Sequence, residues 1–335
     1  MRKLVCAIAA AMFATGAADA ADYTVRIALD TPPSHIRNVT VERFIEEVEN
    51  RIPGVIEFEV MHSAQAGRDR DLPRSMRQGA VDMAIPGNML LDVYEPNTAL
   101  NQIPAFYGLE ADAVHAVLDG EVGAEINRRV EDAINVVVIG KWLDLGPQHT
   151  FGTERRPILS YDDMAGAKIR HPGGAPNNFR FAEFEAIPEV IPFSDVPLAL
   201  TQGRIDGVQT SFESAYRTKL FDAGLRTAFK DAQWFGMYIP IVSRPFWERL
   251  PDEARQAIRD AWEVAVQEER IAAAEAQDEA EAALGELGMT IITPAPEEIR
   301  EKRELMIGKQ DQLVEELGLD PDLVTLSVET VRSLP

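Results

Sequence analysis

Hydrophobic and polar positions follow a period of two and then a period of 3.6 through the first part of the chain. Val25, Ile27 and Leu29 alternate with smaller or polar residues, which predicts a strand. Apolar side chains at 41, 44, 45 and 48 then share one face of a helix. A second alternating strand follows over 56–60. The order strand, helix, strand predicts a parallel pair joined by a right-handed crossover.

The same alternation is densest in the middle of the chain, over 164–213. Short apolar runs predict strands, and Gly or Asp at the boundaries marks the helices, with Asp195 expected to cap one of them. The predicted order is strand 167–171, helix 176–184, strand 190–193, helix 195–202 and strand 206–210. This stretch is therefore predicted to form part of a second parallel sheet.

The remaining predicted elements extend the two predicted sheets and their helices. Residues 234–242 form a long apolar run that suits a strand buried on both faces, and it could cross between two domains. A long helix with an apolar stripe is predicted from 250 to 284. The other predicted elements are helices at 71–78, 112–130 and 296–317, and strands at 80–85, 135–142 and 289–293.

Two polar side chains stand at the carboxyl ends of central strands, where open α/β sheets bind their ligands. These are Arg170 and Thr210. An arginine presents a planar fork of donors that fits a carboxylate with two parallel hydrogen bonds. The Pro-Gly-Gly sequence close after Arg170 lets the backbone approach a ligand closely. These features favour an anion-binding role for Arg170, and a surface salt bridge is the alternative that stays open from the residues alone.

The length of the chain, its net charge and its N-terminal sequence limit the classes of function that it could have. The chain has 335 residues and a net charge of −22, which suggests two domains and argues against nucleic acid as a partner. Arg2 and Lys3, an apolar run, and Ala18-Asp19-Ala20 together predict a cleaved signal peptide over 1–20. Cys6, the only cysteine, lies within it. We therefore expect an exported, cysteine-free protein in a Gram-negative periplasm.

The central motifs resemble those of the solute-binding subunits of tripartite ATP-independent periplasmic (TRAP) transporters, the DctP-like family. Its G-x-K-x-R strand matches Gly166, Lys168 and Arg170. Its A-L-x-Q-G-x-I-D-G segment matches Ala199, Leu200, Gln202, Gly203, Ile205, Asp206 and Gly207, and an earlier segment matches Ala64, Gln65, Gly67, Asp69, Gly79, Asp82 and Met83. The family often has Asn where this chain has Thr210.

The resemblance implies the α/β fold of two-domain periplasmic binding proteins. Each domain would be a mostly parallel sheet flanked by helices, with hinge strands and a long helix spanning both. The predicted limits are 21–146 with about 236–275 for domain I, and 147–235 with about 276–335 for domain II. We expect a monomer that delivers its ligand to the TRAP membrane permease subunits.

The resemblance makes Arg170 the carboxylate clamp, with a hydroxyl contact from Thr210. Weaker candidates come from loops at predicted strand ends and from a position where some relatives carry a further ligand contact: His35, Gln65, Asn88, Gln148 and His149. Trp234 and Phe235 could flank the ligand. One clear arginine and nearby aromatic residues favour a monocarboxylate with an apolar or aromatic body. A C4-dicarboxylate or sugar acid remains an alternative.

Two other function classes stay open at this point. An enzyme would need a nucleophile and base, a nucleotide-binding loop or a metal cluster, and no such motif stands in the sequence. We therefore predict no catalytic residues, no metal and no cofactor. A ligand-sensing module that reports to a receptor could have the same sequence character as a transport protein.

Overall fold

The computed structural model describes residues 21–334, so the predicted signal peptide lies outside the described residues. The strands are β1 (Tyr23–Ala28), β2 (Ile56–Met61), β3 (Met83–Ala84), β4 (Val136–Val138), β5 (Leu143–Pro147), β6 (His149–Thr153), β7 (Lys168–His171), β8 (Ile187–Val190), β9 (Gly207–Thr210), β10 (Leu225–Phe229), β11 (Phe235–Tyr238), β12 (Ile241–Ser243) and β13 (Thr290–Ile292). The helices are α1 (Ile36–Arg51), α2 (Leu72–Arg77), α3 (Ala111–Leu118), α4 (Glu121–Ile134), α5 (Ala175–Glu183), α6 (Val196–Thr201), α7 (Phe212–Arg217), α8 (Arg244–Trp247), α9 (Asp252–Glu286), α10 (Pro296–Ile307), α11 (Gln310–Leu317) and α12 (Pro321–Ser333).

Two mixed sheets organise these elements. The first has the order β2-β1-β3-β12-β4, and we call it and its helices lobe I. The second has the order β13-β10-β6-β9-β7-β8 and forms lobe II. The crossovers predicted from the sequence give the parallel pairs β1–β2, β1–β3, β7–β8 and β7–β9. The predicted α/β class with two sheet-and-helix units is confirmed.

The two strands that run between the lobes pair with each other, and we call this pair the ribbon. Strand β5 leads from lobe I into lobe II, and β11 leads back, and the two pair antiparallel in a two-stranded sheet. The sequence predicted a single strand over 234–242, but Pro240 divides it into β11 and β12. Because proline has no N–H, the strand ladder cannot continue through it.

Helix α9 is the predicted long helix and runs for 35 residues, about 52 Å at 1.5 Å per residue. Its first half buries Trp262 and Val266 in the core of lobe I, where Trp262 meets Phe44 of α1 edge to face. Its second half buries Ala280 and Leu284 in lobe II. One helix therefore packs against both lobes.

Four local predictions differ from the structure. The helix expected at 112–130 is interrupted at Asp119 and Gly120, so that it forms α3 and α4. The strand expected at 190–193 lies at Ile187–Val190, and the closing helix expected at 296–317 is interrupted at Gly308 and Lys309. Asp195 precedes α6 without a side-chain capping bond. Its carboxylate instead accepts a hydrogen bond from Arg68 at 2.6 Å. The predicted domain limits stay a prediction, and α12 lies against α3 and α4 of lobe I.

Candidate ligand-binding cleft

A cleft of about 560 Å³, including the space open to solvent at its mouth, lies between the two lobes. This volume falls in the usual range for small-molecule sites. The loop after β1, the loop after β2 and the segment after β3 form one wall, whereas β5, the ends of β7 and β9, and the loop before α6 form the other. The lining residues are Asp30, Thr31, Arg68, Asp69, Arg70, Gly87, Met89, Leu90, Leu145, Gln148, Arg170, Pro172, Pro192, Phe193, Thr210, Ser214 and Tyr238.

Arg170 is the buried cation of lobe II. Its side chain is 1% exposed, and it donates from Nε to the Ile191 carbonyl at 2.8 Å and from Nη1 to the Gln209 carbonyl at 3.3 Å. The guanidinium carbon lies 5.5 Å from the ring centre of Phe193. Among the residues that the structure describes, no carboxylate comes within ion-pairing distance of it. Burial lowers the pKa of Arg170 to about 9, because the charged form has lost its water.

Arg37 on the opposite wall differs from Arg170 because its charge is already neutralised. It forms ion pairs with Asp30 at 2.7 Å and with Asp69 at 2.6 Å, and it lies over the Tyr238 ring at 4.4 Å. Burial alone would lower the pKa of Arg37, but the two carboxylates outweigh it and raise the pKa. This cluster fixes the β1 and β2 loops and leaves Arg170 as the cation with spare donors.

Polar side chains from the lobe II sheet lie beside Arg170. Thr210 ends β9, where it pairs with His149 of β6, and it lines the cleft. Gln148 lines the cleft from between β5 and β6, and its Nε2 donates to the Gly146 carbonyl at 3.0 Å. Arg170, Thr210 and Gln148 are the three sequence-predicted residues that the fold brings together here.

The mouth of the cleft carries charges that sequence reasoning missed. Arg68 and Arg70, both exposed, follow β2 on lobe I. Arg68 reaches across to Asp195 of lobe II at 2.6 Å. Arg70 lies close enough to Arg170 to help lower its pKa. The alternation Arg68-Asp69-Arg70-Asp71 is visible in the sequence, but a loop sequence does not show which surface its charges face.

His35 is not part of the cleft lining but joins the lobes beside it, through Ser214, which does line the cleft. It is fully buried, and its Nε2 lies 2.9 Å from Ser214 Oγ and 3.1 Å from Glu213 Oε2, both on α7. Its Nδ1 accepts a hydrogen bond from the Arg37 amide at 3.2 Å. A catalytic triad places the carboxylate and the serine on different ring nitrogens. Here they share one nitrogen, so the arrangement is a contact between lobes and does not match a nucleophile relay.

The structure places the other candidates outside the cleft lining. Gln65 is exposed on the loop after β2. Asn88 is buried and hydrogen-bonds the Thr98 carbonyl, Asn101 and the Met237 amide, so both donors of its amide group are already used within the protein. His149 lines a different pocket, and its Nδ1 accepts a hydrogen bond from the Ala232 amide at 3.1 Å.

The two aromatic candidates belong to the lobe I cores. Trp234 is 1% exposed and Phe235 is 7% exposed, each within a hydrophobic cluster. Phe193 and Tyr238 are the aromatic residues that line the cleft instead. Phe193 lies on the short 3-10 helix before α6, a position where periodicity gives no sign of a side chain's direction.

Among residues 21–334, no group of three or more His, Cys, Asp or Glu side chains is arranged to hold a metal ion. No helix there combines the length and apolar character needed to cross a bilayer.

Known proteins resemble this chain along most of its length. It is 27% identical over 251 residues to a solute-binding protein of Chromohalobacter salexigens, covering 71% of this chain and 70% of that protein. It is 24% identical over 300 residues to the C4-dicarboxylate-binding periplasmic protein DctP of Rhodobacter capsulatus, covering 88% and 86%.

Solved structures share the fold. A TRAP periplasmic solute-binding protein from Sulfurospirillum deleyianum with bound succinate superposes with a TM-score of 0.85 at 24% identity, covering 94% of this chain and all of that one. The sugar acid binding protein DctPAm from Advenella mimigardefordensis, in complex with galactonate, gives a TM-score of 0.87 at 16% identity over 94% and 99%. The model of the family described as bacterial extracellular solute-binding protein, family 7 (DctP), matches residues 27–316. This chain therefore belongs to that family, which includes the periplasmic solute-binding subunits of TRAP transporters.

Proposed function

We propose that this protein captures a small organic carboxylate in the cleft at Arg170 and delivers it to the membrane permease of a TRAP transporter. The observation that carries the proposal is a cation that is 1% exposed and has no carboxylate partner among the described residues. A buried charge without a counter-ion is costly, and a bound anion offsets that cost.

The geometry around the guanidinium favours a carboxylate. Nε and Nη1 are bonded to main-chain carbonyls, whereas Nη2 makes no hydrogen bond to the described part of the chain. The two carbonyl bonds and the Phe193 ring hold the plane of the group. A carboxylate can then accept from the free edge, and the Thr210 hydroxyl and the Gln148 amide are the neighbouring polar groups.

The body of the ligand would lie on an apolar surface. Met89 and Leu90 from lobe I, and Leu145 and Phe193, line the space beyond the polar groups. This surface supports a monocarboxylate with an apolar or aromatic body. Its burial between the lobes would supply contact energy that an open form lacks, so binding would favour closure.

Arg68 and Arg70 support a second ligand class. Two more cations at the mouth suit a second anionic group, as in a C4-dicarboxylate, and the Asp30 and Asp69 carboxylates suit the hydroxyls of a sugar acid. The Arg70→Gln variant distinguishes a dicarboxylate ligand from a monocarboxylate ligand. It should weaken a dicarboxylate at least tenfold, because it removes one of two charge-assisted contacts, and change a monocarboxylate about twofold or less.

The test is calorimetry of the purified protein against aliphatic, aromatic, dicarboxylic and sugar acids. The acid that binds most tightly is then titrated into Arg170→Met, which keeps much of the apolar volume but loses the charge. We expect affinity to fall about 30-fold or more, since breaking a buried charged contact costs about 2–5 kcal/mol.

The matched control is Arg226→Met. Arg226 also bonds to main-chain carbonyls and lies over a phenylalanine ring, that of Phe221, but outside the cleft. It should bind the acid like the wild type. Equal affinity in the wild type and Arg170→Met would contradict the proposal. Uptake of the same acid by vesicles that carry the permease then separates transport from ligand sensing.

A further inference from the structure

A second, smaller cavity lies away from the cleft, where α10 packs on lobe II. It has about 260 Å³ of empty space including that open to solvent, and the enclosed part admits about one water-sized sphere. Its lining comes from the segment before α3, from α5, from the segment after β10 and from α10. The residues are Tyr107, Tyr161, Arg180, Phe184, Asp231, Gln233, Ile299, Lys302 and Arg303.

Buried donors without acceptors converge on this cavity. Arg180 is 1% exposed, and neither its Nε nor its Nη1 has a hydrogen-bond partner in the described residues. The same holds for the Tyr107 hydroxyl and for Nε of Arg303. The guanidinium of Arg180 lies 5.0 Å from the Tyr107 ring centre, so these groups form one cluster.

The one carboxylate that lines the cavity is already occupied. Asp231 accepts at Oδ1 from the Thr150 amide at 3.1 Å, and at Oδ2 from the Thr150 hydroxyl at 3.0 Å and from Gln233. It forms no ion pair with Arg180 in the described structure. Asp231 therefore contributes negative charge, but its hydrogen bonds go to Thr150 and Gln233 and not to the unpartnered donors.

The charges of the residues that line the cavity also favour an anion. Arg180, Lys302 and Arg303 supply three positive charges against the single negative charge of Asp231. Lys302 lies over the Tyr161 ring at 5.5 Å, and Arg303 uses Nη2 on the Ala105 carbonyl at 2.7 Å, so neither is paired with an acid here. A buried arginine is stable when an anion or acceptor faces it.

We infer that this cavity is a binding site for one small inorganic anion of the size of chloride, held by Arg180, Arg303 and the Tyr107 hydroxyl. The space is too small for an organic acid, so the site is separate from the ligand cleft. Asp231 and Gln233 begin the segment that leads into β11. The anion would therefore fasten α10 to α5 beside one of the crossing strands.

The first test locates the ion in the wild-type protein. Crystals grown in sodium bromide are measured at the bromine absorption edge. We expect an anomalous peak within about 3.5 Å of the Arg180 guanidinium in this cavity. A cavity that holds only water, with no anomalous signal, would overturn the inference, and this outcome does not depend on any variant folding.

The second test measures stability. The melting temperature is followed as chloride replaces methanesulfonate at constant ionic strength, in the wild type and in Arg180→Met. Once chloride exceeds its dissociation constant, each further tenfold step should raise the wild-type midpoint by on the order of 2 °C and should leave Arg180→Met unchanged.

The control variant is Arg128→Met, an exposed arginine of α4 far from the cavity, which should keep the chloride dependence. An equal chloride effect in the wild type and Arg180→Met would assign the effect to the general surface and contradict the site. Because both tests follow a halide and include no carboxylate ligand, their failure leaves the proposal for the carboxylate cleft unaffected.

Discussion

The Nε2 atom of His35 lies 2.9 Å from the hydroxyl of Ser214, so the start of α1 in lobe I is bonded to α7 in lobe II. Glu213 strengthens the contact, because its Oε1 accepts from the Ile36 amide at 2.8 Å. These groups are buried. The contact therefore exists only while the lobes lie together, and its protonation bears on their stability.

The first prediction concerns the pH dependence of Glu213. Burial raises the pKa of its carboxyl from 4.5 to about 7. The unfolded chain loses this proton near pH 4.5 and the folded protein only near pH 7, so this contribution to stability is full below pH 4.5 and is lost as the pH rises to about 7.

In the Glu213→Gln variant the side chain at this position cannot ionise, so the variant does not lose this contribution to stability in this pH range. Its unfolding free energy minus that of the wild type should rise between pH 4.5 and 7 by up to about 3 kcal/mol. Denaturant unfolding at several pH values measures this difference. Glu279→Gln, on the exposed side of α9, serves as the control, and a flat difference for Glu213→Gln would refute the prediction.

The second prediction concerns the pair that spans the cleft mouth. Arg68 and Asp195 are each about half exposed, so their interaction is worth about 0.2–1 kcal/mol. Arg68→Ala and Asp195→Ala should each weaken ligand binding up to about fivefold, and the double variant should be no weaker than the worse single one. A double-mutant cycle in low and high salt measures this coupling, which should shrink in high salt. Fully additive effects would show that the pair does not hold the lobes together.

The third prediction isolates the Thr210 hydroxyl. Thr210→Val keeps the shape of the side chain and removes the hydrogen-bonding group, which is worth about 0.5–1.5 kcal/mol. Affinity for the carboxylate should fall about two- to tenfold with little change in the melting temperature of the free protein. Thr201→Val, exposed on α6, should bind like the wild type. A Thr210→Val protein with wild-type affinity would remove Thr210 from the site.

The fourth prediction concerns the strand that carries Thr210. A Cβ atom on Gly207 would lie 2.6 Å from the Phe151 carbonyl oxygen, a main-chain atom that cannot move aside. Gly207→Ala should therefore lower the unfolding free energy by about 1–3 kcal/mol. Gly285→Ala in α9 meets only a side-chain atom at 3.8 Å and should raise it by about 0.5–1 kcal/mol. Gly207→Ala should therefore melt below the wild type and Gly285→Ala above it, and thermal unfolding of the two variants checks both expectations.

Sequence reasoning found the residues whose position follows from topology. Arg170 and Thr210 end parallel strands, and the ends of such strands meet at one edge of a sheet, so their meeting could be foreseen. Gln148 came from the family pattern. The positions of His35 and Asn88 could not be foreseen, because strand ends show where a loop lies but not whether its polar groups are already bonded within the protein.

The residues missed have a common physical reason. Arg68, Arg70 and Phe193 enter the cleft because the two lobes approach one another, a contact between distant segments that no local pattern records. The division of the strand at 234–242 could have been predicted, because Pro240 has no N–H group to donate to a strand ladder. Helix α9 was predicted because a stripe sustained over many turns is the strongest periodic signal a sequence carries.

The pairing of β5 with β11 has a mechanical consequence. The two chain crossings are tied to each other by main-chain hydrogen bonds, and α9 lies against both lobes, so sliding or twisting apart would break this ribbon and helix packing together. We expect the motion that remains to be essentially one degree of freedom, a swing about the ribbon. Under the proposed function, a ligand would then meet the same two walls in the same register at every closure, and the protein itself would lose the freedom of a single coordinate on capture.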